Sequence, residues 1–455
     1  MIQLNLDTVL RAVNGRTVSS RDILGACFTG VSTDSRTIRA GDLFFALSGD
    51  KFDAHNFIDA VSRVGAGAVI SRVVECPSDE FVLIMVDDTL RALQRLAAYV
   101  RHIRHIPVVS ITGTNGKTTT KEMTAAVIAK KYPVLKTEGN LNNHIGLPLT
   151  LLRLDKETAA VLEMGASKAG DIAELCEIAA PDYGIVTNIG PGHLEGFGSV
   201  EGVRTAKLEI MDYAKTIIVN ADDEFLMKAV LERNKTLQRE IISFGVENSA
   251  ALTGRFVDGA GPALNTAIRL PNGEELQVSI KSGGRHNLYN ALAAAAAGFL
   301  MGVEGQDIRQ ALSDFRGVAM RLEFREINGS MIICDFYNAN PASVTNAVKE
   351  LVRLDRGRKI AVLGDMLELG EYSERYHREL GRWMASQPVD VFIAVGSMMR
   401  TTLDAFNDSR GVSVQGAAVH AANAVEAGRI LKQLIANDTV LIKGSRGLKM
   451  ERVLE

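Results

Sequence analysis

From Val108 onward the chain alternates short apolar runs with longer mixed stretches, and this rhythm constrains its fold more than any other feature. Val108–Ile111, Ala159–Leu162, Gly184–Val186 and Thr216–Val219 read as strands, and a helix follows Lys117. Strands interleaved with helices predict a mostly parallel sheet covered on both faces. The alternation returns near the C-terminus, where Met331–Cys334, Ile360–Leu363, Val391–Val395 and Thr439–Ile442 predict a second, doubly wound sheet. Residues 250–280 break the pattern. Their alternating polar and apolar positions, with turns at Gly259-Ala260-Gly261-Pro262 and Pro271-Asn272-Gly273, predict an antiparallel excursion at one sheet edge.

A chain of 455 residues exceeds one ordinary core, since single cores stop growing at roughly 250–300 residues. Three α/β domains are expected. The first covers residues 1–104, with apolar runs at Leu43–Leu47 and Gly67–Ile70 and a helix from about Thr89 to His102. The basic stretch Arg101–His105 and Pro107 mark its end. The central unit runs over 105–317, and the last over 318–455, with the boundary near Gly317.

A net charge of −3, from 51 basic and 54 acidic side chains, gives no general drive toward nucleic acid or anionic membrane. Any anion must therefore be bound by a local site. Cys27, Cys76, Cys176 and Cys334 are widely spaced and form neither a zinc knuckle nor a disulfide framework, as suits a reducing compartment. The first residues lack the basic start and apolar run of a signal peptide. The apolar run Ala291–Val303 has about half the ~20 residues that a membrane span requires. It reads as a buried helix in a cytoplasmic protein, and with no coiled-coil heptads a monomer is expected.

The local anion site is Thr112-Gly113-Thr114-Asn115-Gly116-Lys117-Thr118-Thr119-Thr120, between an apolar strand and a helix. Backbone amides of such a turn and the helix N-terminus offer fixed donors to phosphate, lysine adds a point charge, and a hydroxyl can ligate Mg²⁺. The general P-loop spacing asks for glycine where Ile111 stands, so only the Gly-Lys-Thr core matches. That core alone also suits an ordinary glycine turn or a nucleotide-driven switch.

With Gly113, Asn115, Gly116 and Lys117, the loop takes the form found in Mur and folylpolyglutamate ligases. Further motifs follow in the same order: Gly139–Pro148, Glu163–Ser167, Thr187–Leu194, Ala206–Glu209 and His286–Ala291. The chain therefore resembles the Mur ligase family. Asp34-Ser35-Arg36, Gly41–Phe44 and Ala46–Gly49 resemble a UDP-binding N-terminal domain. Asp335–Pro341, Leu363–Gly370 and Lys443–Arg446 resemble the C-terminal domain of the members that add D-alanyl-D-alanine to the UDP-muramoyl tripeptide. The tripeptide-forming members would show Asp-Tyr-Ala-His and Asp-Asn-Pro-Arg type sequences, which are not present.

The resemblance implies a UDP-binding domain, a central P-loop ATPase domain and a Rossmann-like amino-substrate domain. It also implies ATP, two Mg²⁺ ions and an acyl phosphate that the incoming amine attacks. Gly113, Thr114, Asn115, Gly116, Lys117, Thr118 and Thr119 would hold the phosphates. Thr118 and Glu163 would hold one Mg²⁺ and His193 the second, while Lys207 would carry carbon dioxide as a carbamate and help bind metal. Asn287 and Asn290 would contact the base, Arg321 the γ-phosphate from the third domain, and Asp335 the ribose. Ser35, Arg36, Ser48 and Asn142 would serve the UDP-sugar side, and Asn338 and Asn340 the amino-substrate side.

Each of these residues also has a plainer reading. Glu163 could be a hydrogen-bonded structural carboxylate, His193 a turn residue, Lys207 a solvated lysine, Asn287 and Asn290 a helix cap, and Arg36 a surface ion pair. Three positions depart from the family pattern: Met320 and Ala54 stand where glycine is usual, and Cys334 where a second aspartate is common.

Overall fold

The computed structural model describes residues 3–18, 25–75, 78, 80–257, 263–410 and 417–455. Cys76 and the expected turn at 259–262 lie outside the described residues. Three main sheets follow one another along the chain.

In the first, strands Gly30–Ser32, Asp42–Phe45, Gly67–Ile70 and Val82–Met85 run parallel, with Arg16–Thr17 antiparallel at one edge. Phe44, Ala68, Ile70 and Leu83 bury one face of it. Phe45, Val69 and Ile84 on the other join a core that continues into the next unit. The helix Thr89–Arg104 makes that continuity. Asp88 caps it by accepting from the amides of Leu90 and Arg91, and Leu93, Leu96, Ala97 and Val100 are buried along it. From the same helix Gln94 donates to Glu174 (2.7 Å) and Arg101 to the carbonyl of Ala179 (2.8 Å). It is thus a wall of both units.

The central sheet has nine strands in the order Val134–Lys136, Ala159–Glu163, Val108–Thr112, Tyr183–Val186, Thr216–Asn220, Glu240–Gly245, Leu252–Val257, Leu264–Arg269 and Glu275–Ile280. The first seven are parallel, and the last two add antiparallel, as the alternating pattern predicts. Ala291–Ala297 are fully buried in the helix His286–Leu300, which is buried rather than membrane-spanning. Glycine near its end permits close packing: a Cβ on Gly298 would come within 2.3 Å of Val127 on the helix Lys117–Ile128. Among the described residues no helix is long and apolar enough to cross a membrane.

The third sheet runs Glu323–Ile327, Ser330–Asp335, Thr439–Lys443, Lys359–Gly364, Val391–Val395 and Ala417–Ala421. Its first two strands form an antiparallel hairpin and the remainder pair in parallel. Buried side chains cover both faces, giving a doubly wound layer.

Candidate functional site

Val108–Thr112 lies between Ala159–Glu163 and Tyr183–Val186, so its C-terminal end opens where the strand order reverses. Open α/β sheets bind ligands at such a point. The loop that follows turns on two glycines with positive φ, Gly113 (139°) and Gly116 (81°). A Cβ on Gly113 would lie 2.0 Å from the Thr187 hydroxyl, and one on Gly116 would lie 2.5 Å from the Asn290 amide oxygen.

The neighbouring strand end grips the loop from outside. The Thr187 hydroxyl (2.6 Å) and the Asn188 amide (3.0 Å) both donate to the carbonyl of Asn115, and the Asn115 N–H donates to Asn188 Oδ1 (3.0 Å). Thr114 exchanges hydrogen bonds with the backbone of Gly190. The helix Lys117–Ile128 begins at Gly116 with no side-chain cap, which leaves its first N–H groups facing the cavity.

Lys117 folds back on this loop, its ammonium donating to the carbonyls of Gly113 (2.8 Å) and Thr114 (3.1 Å). Burial pushes its proton affinity down, Glu163 opposes that shift, and Arg321 adds to it. These three charges therefore share one site. Glu163 ends its strand buried, with Oε1 accepting from Asn142 (2.8 Å) and its backbone N–H donating to Thr137. Its Oε2 is buried without a hydrogen-bond partner. An unpartnered buried carboxylate oxygen beside a phosphate loop suits a hard cation, and Thr118 on the same wall adds a second oxygen.

Lys207 is 2% exposed and is not a solvated lysine. Its ammonium lies 3.4 Å from the Ala166 carbonyl and 5.3 Å from the centre of the Phe197 ring. Burial, with Lys117 as a second cation, lowers its pKa to about 7 against the opposing pull of Asp171 and Glu209. Asn287 does not cap its helix. It donates to the Gly283 carbonyl and the Ser282 hydroxyl and accepts from Asn290, which in turn accepts from Thr120.

The third unit closes the site. Arg321 lies over the Tyr337 ring, 4.2 Å from its centre. Met320 (φ 61°) and Leu322 (φ 46°) on either side of it occupy the left-handed region, which explains why glycine suits position 320. Asp335 accepts from Lys443 (2.7 Å) and from the Leu322 N–H. Asn340 caps the helix Pro341–Arg353 and also donates to Asn115 Oδ1 across the seam (2.8 Å). His193, with φ 53°, pairs through Nδ1 with Glu368 Oε2 of the third unit at 2.6 Å. That hydrogen bond holds the Glu368 carboxyl below its ordinary value against the effect of burial.

The residues enclose one cavity of about 1410 Å³ to which all three units contribute, including Arg91, Lys117, Glu163, His193, Asn287 and Arg321. Roughly 300–1,000 Å³ serves a single small ligand, so this space has room for a nucleotide and a second substrate together. Thr114, Asn115, Gly116, Thr118, Thr119, Asn142, Asn290, Asp335, Asn338 and Asn340 also line it, while Gly113 shapes the loop. Lys207 lies behind the wall formed by Ala166.

Ser35, Arg36 and Ser48 are not among the lining residues. Arg36 is 85% exposed and paired with Asp34 (2.7 Å), whose carboxyl it holds at about 2. Ser48 donates to Asp53. Arg91, Arg285 and Lys349 also line the cavity but lie in none of the motifs, and nothing in the sequence separates them from solvated charges. Glu368 of the Leu363–Gly370 motif lines it too, with no role assigned from sequence.

Residues 111–298 match the Mur ligase middle domain and residues 320–446 match the Mur ligase glutamate ligase domain. Over 100% of its length the chain is 36% identical to 98% of the UDP-N-acetylmuramoyl-tripeptide--D-alanyl-D-alanine ligase of Bacillus subtilis (strain 168). A crystal structure of MurF from Acinetobacter baumannii superposes with a TM-score of 0.90 at 33% identity, covering 100% of this chain and 98% of that one. The MurF ligase of Thermotoga maritima in complex with ADP gives a TM-score of 0.80 at 30% identity, over 93% of this chain and 96% of its own.

Proposed function

The chain belongs to the Mur ligase family, and from that premise we propose that it uses ATP to join D-alanyl-D-alanine to UDP-N-acetylmuramoyl-tripeptide, giving the UDP-muramoyl-pentapeptide precursor of peptidoglycan. It is an ATP-dependent amide-bond-forming ligase. The observation that carries the assignment of roles is the shared cavity, in which the phosphate loop, the unpartnered Glu163 oxygen and Arg321 of the last unit come together.

In the first step the tripeptide carboxylate attacks the γ-phosphorus of ATP and ADP leaves. In the second the dipeptide amine attacks the acyl carbon and phosphate leaves. Both steps build negative charge, and phosphoryl transfer asks the protein mainly for position and countercharge. Lys117 and Arg321 supply the cations, and the amides of residues 113–119 hold the phosphates. Asn287 and Asn290 receive the base and Asp335 the ribose.

Glu163 and Thr118 would hold Mg²⁺, with His193 on a second ion. Bound there, Mg²⁺ neutralises phosphate charge and polarises the transferring group. Among the described residues no three His, Cys, Asp or Glu side chains cluster as a metal site, so substrate phosphates and water would complete the coordination. With a pKa of about 7, Lys207 is partly neutral at physiological pH, and the neutral amine is the form that takes up carbon dioxide. The carbamate so formed would be anionic, on a side chain that sits behind the Ala166 wall.

Asn142 belongs to the acceptor side and Asn338 and Asn340 to the amine side. Residues 1–104 receive the UDP-sugar, 105–317 the ATP and 318–455 the dipeptide. The enzyme acts in the cytoplasm as a monomer.

Phosphate release from ATP with the UDP-muramoyl tripeptide tests this, comparing D-alanyl-D-alanine with single amino acids and with no amine while the nucleotide-linked peptide is followed by mass. Release and a matching mass gain only with the dipeptide are expected. Turnover of a single amino acid on a shorter acceptor would reassign the substrates. Amine-independent hydrolysis would point to a nucleotide switch.

A further inference from the structure

Part of the seam between the central and last units is built from two short segments, 193–198 and 368–372, that interlock repeatedly. The Glu195 N–H donates to the Glu368 carbonyl (3.3 Å), and the Tyr372 hydroxyl donates to the Gly198 carbonyl (3.1 Å). Gly370 sits so close that a Cβ there would lie 3.3 Å from the Cα of Glu195. Glu368 is engaged twice, by its backbone carbonyl and by the carboxylate that meets His193 Nδ1 at 2.6 Å.

Its own placement is fixed from both sides. The Leu367 N–H donates to the Ser445 hydroxyl (2.9 Å), Leu369 is buried, and Glu368 takes φ 63°, in the left-handed region. That conformation is uncommon for a residue with a side chain. Conformations of this kind cluster at functional sites, and here the side chain is aimed at a residue of another unit. His193 stands on a left-handed backbone of its own, between Gly192 and Leu194, and its imidazole Nδ1 meets the Glu368 carboxylate.

We propose that Glu368 is a positioning residue, brought by the last unit, which orients the His193 ring so that this part of the site is complete only when the two units are docked. The role rests on the reading of His193 as a metal-side group. A histidine that ligates through one ring nitrogen is oriented through the other by a carboxylate, and loss of such a partner lowers metal affinity or activity by roughly 10–100-fold. The tripeptide and ATP would then meet a finished site only after docking, which limits wasteful hydrolysis in the open form.

The test is a double-mutant cycle in the full chain with Glu368→Ala, Glu368→Gln, His193→Ala and the pair, measuring kcat, the KM for ATP, and Mn²⁺ binding to the ADP complex by electron paramagnetic resonance. Tyr372→Phe is the control, since it weakens the seam without touching His193. Glu368→Ala is expected to lower kcat and Mn²⁺ affinity about 10–100-fold with the KM for ATP little changed. Glu368→Gln recovers most of that loss, Tyr372→Phe leaves both values near wild type, and Glu368→Ala adds nothing in the His193→Ala background.

Additive losses in the cycle, or Tyr372→Phe reproducing Glu368→Ala, would overturn the proposal and make the pair a simple latch. Unchanged Mn²⁺ affinity in Glu368→Ala would overturn it as well. Mn²⁺ binding to the ADP complex needs neither peptide, so these outcomes stay separate from a wild-type failure to use the dipeptide.

Discussion

Replacing Lys207 with methionine keeps the shape of the side chain and removes its charge. The lysine is 2% exposed, and burial together with Lys117 lowers its pKa from the ordinary 10.5 to about 7. At about 1.4 kcal/mol per tenfold change in proton affinity, holding the proton in the folded chain costs on the order of 5 kcal/mol. The folded chain binds this proton less tightly than the unfolded one. The cost is therefore present in full below pH 7, shrinks as pH rises, and vanishes above about 10.5, where the amine is neutral in both states.

In carbon dioxide-free buffer, Lys207→Met should be more stable than wild type by roughly 3–5 kcal/mol at pH 6 and by only about 1 kcal/mol at pH 9.5. Urea unfolding at the two pH values measures the difference, and the variant should have lost ligase activity. Added bicarbonate should stabilise the wild type and leave the variant unmoved. An equal advantage at both pH values, or a variant less stable at pH 6, would refute a buried, weakly basic amine.

Gly116→Ala forces a side chain into φ 81° and within 2.5 Å of Asn290, so ADP affinity by isothermal titration should fall at least about tenfold and stability by about 1–3 kcal/mol. Asn340→Ser keeps a helix-capping oxygen while losing the 2.8 Å reach to Asn115. Its thermal stability should stay within about 0.5 kcal/mol while turnover drops several-fold; Asn340→Ala should lose about 1 kcal/mol more. Glu163→Gln removes the carboxylate whose Oε2 has no partner. Half-maximal activity should then need at least about tenfold more Mg²⁺, whereas chelating Mg²⁺ should abolish product formation in wild type and variant alike.

The parallel sheets were legible because a strand covered on both faces is written as an unbroken apolar run, as in Val108–Ile111 or Val391–Val395. Val134–Lys136 is only three residues long, and Glu240–Gly245 is partly exposed. Neither carries that signature, and both were missed. The glycines, Lys117 and Glu163 could be read locally, since a loop and the end of its neighbouring strand are recorded in short motifs. Pairs such as Asn115 with Asn340, or His193 with Glu368, depend on how two separately folded layers dock, and no periodicity reports that. Met320 looked like a departure from pattern, and only its φ of 61° shows the backbone demand that glycine would meet more easily.

The helix Thr89–Arg104 bears on where the chain can be cut. Its apolar residues complete the core shared by the first two sheets, so a fragment ending at residue 104 would carry half of an unfilled interface into solvent and aggregate. A break near Gly317 instead crosses a seam that mixes polar contacts with apolar packing, Leu194 and Val203 of the central unit being buried in the core of the last. Two pieces made there, 1–317 and 318–455, would each expose part of that apolar surface and are expected to find each other again when mixed, which makes that junction the place for a split reporter of ligand-driven assembly.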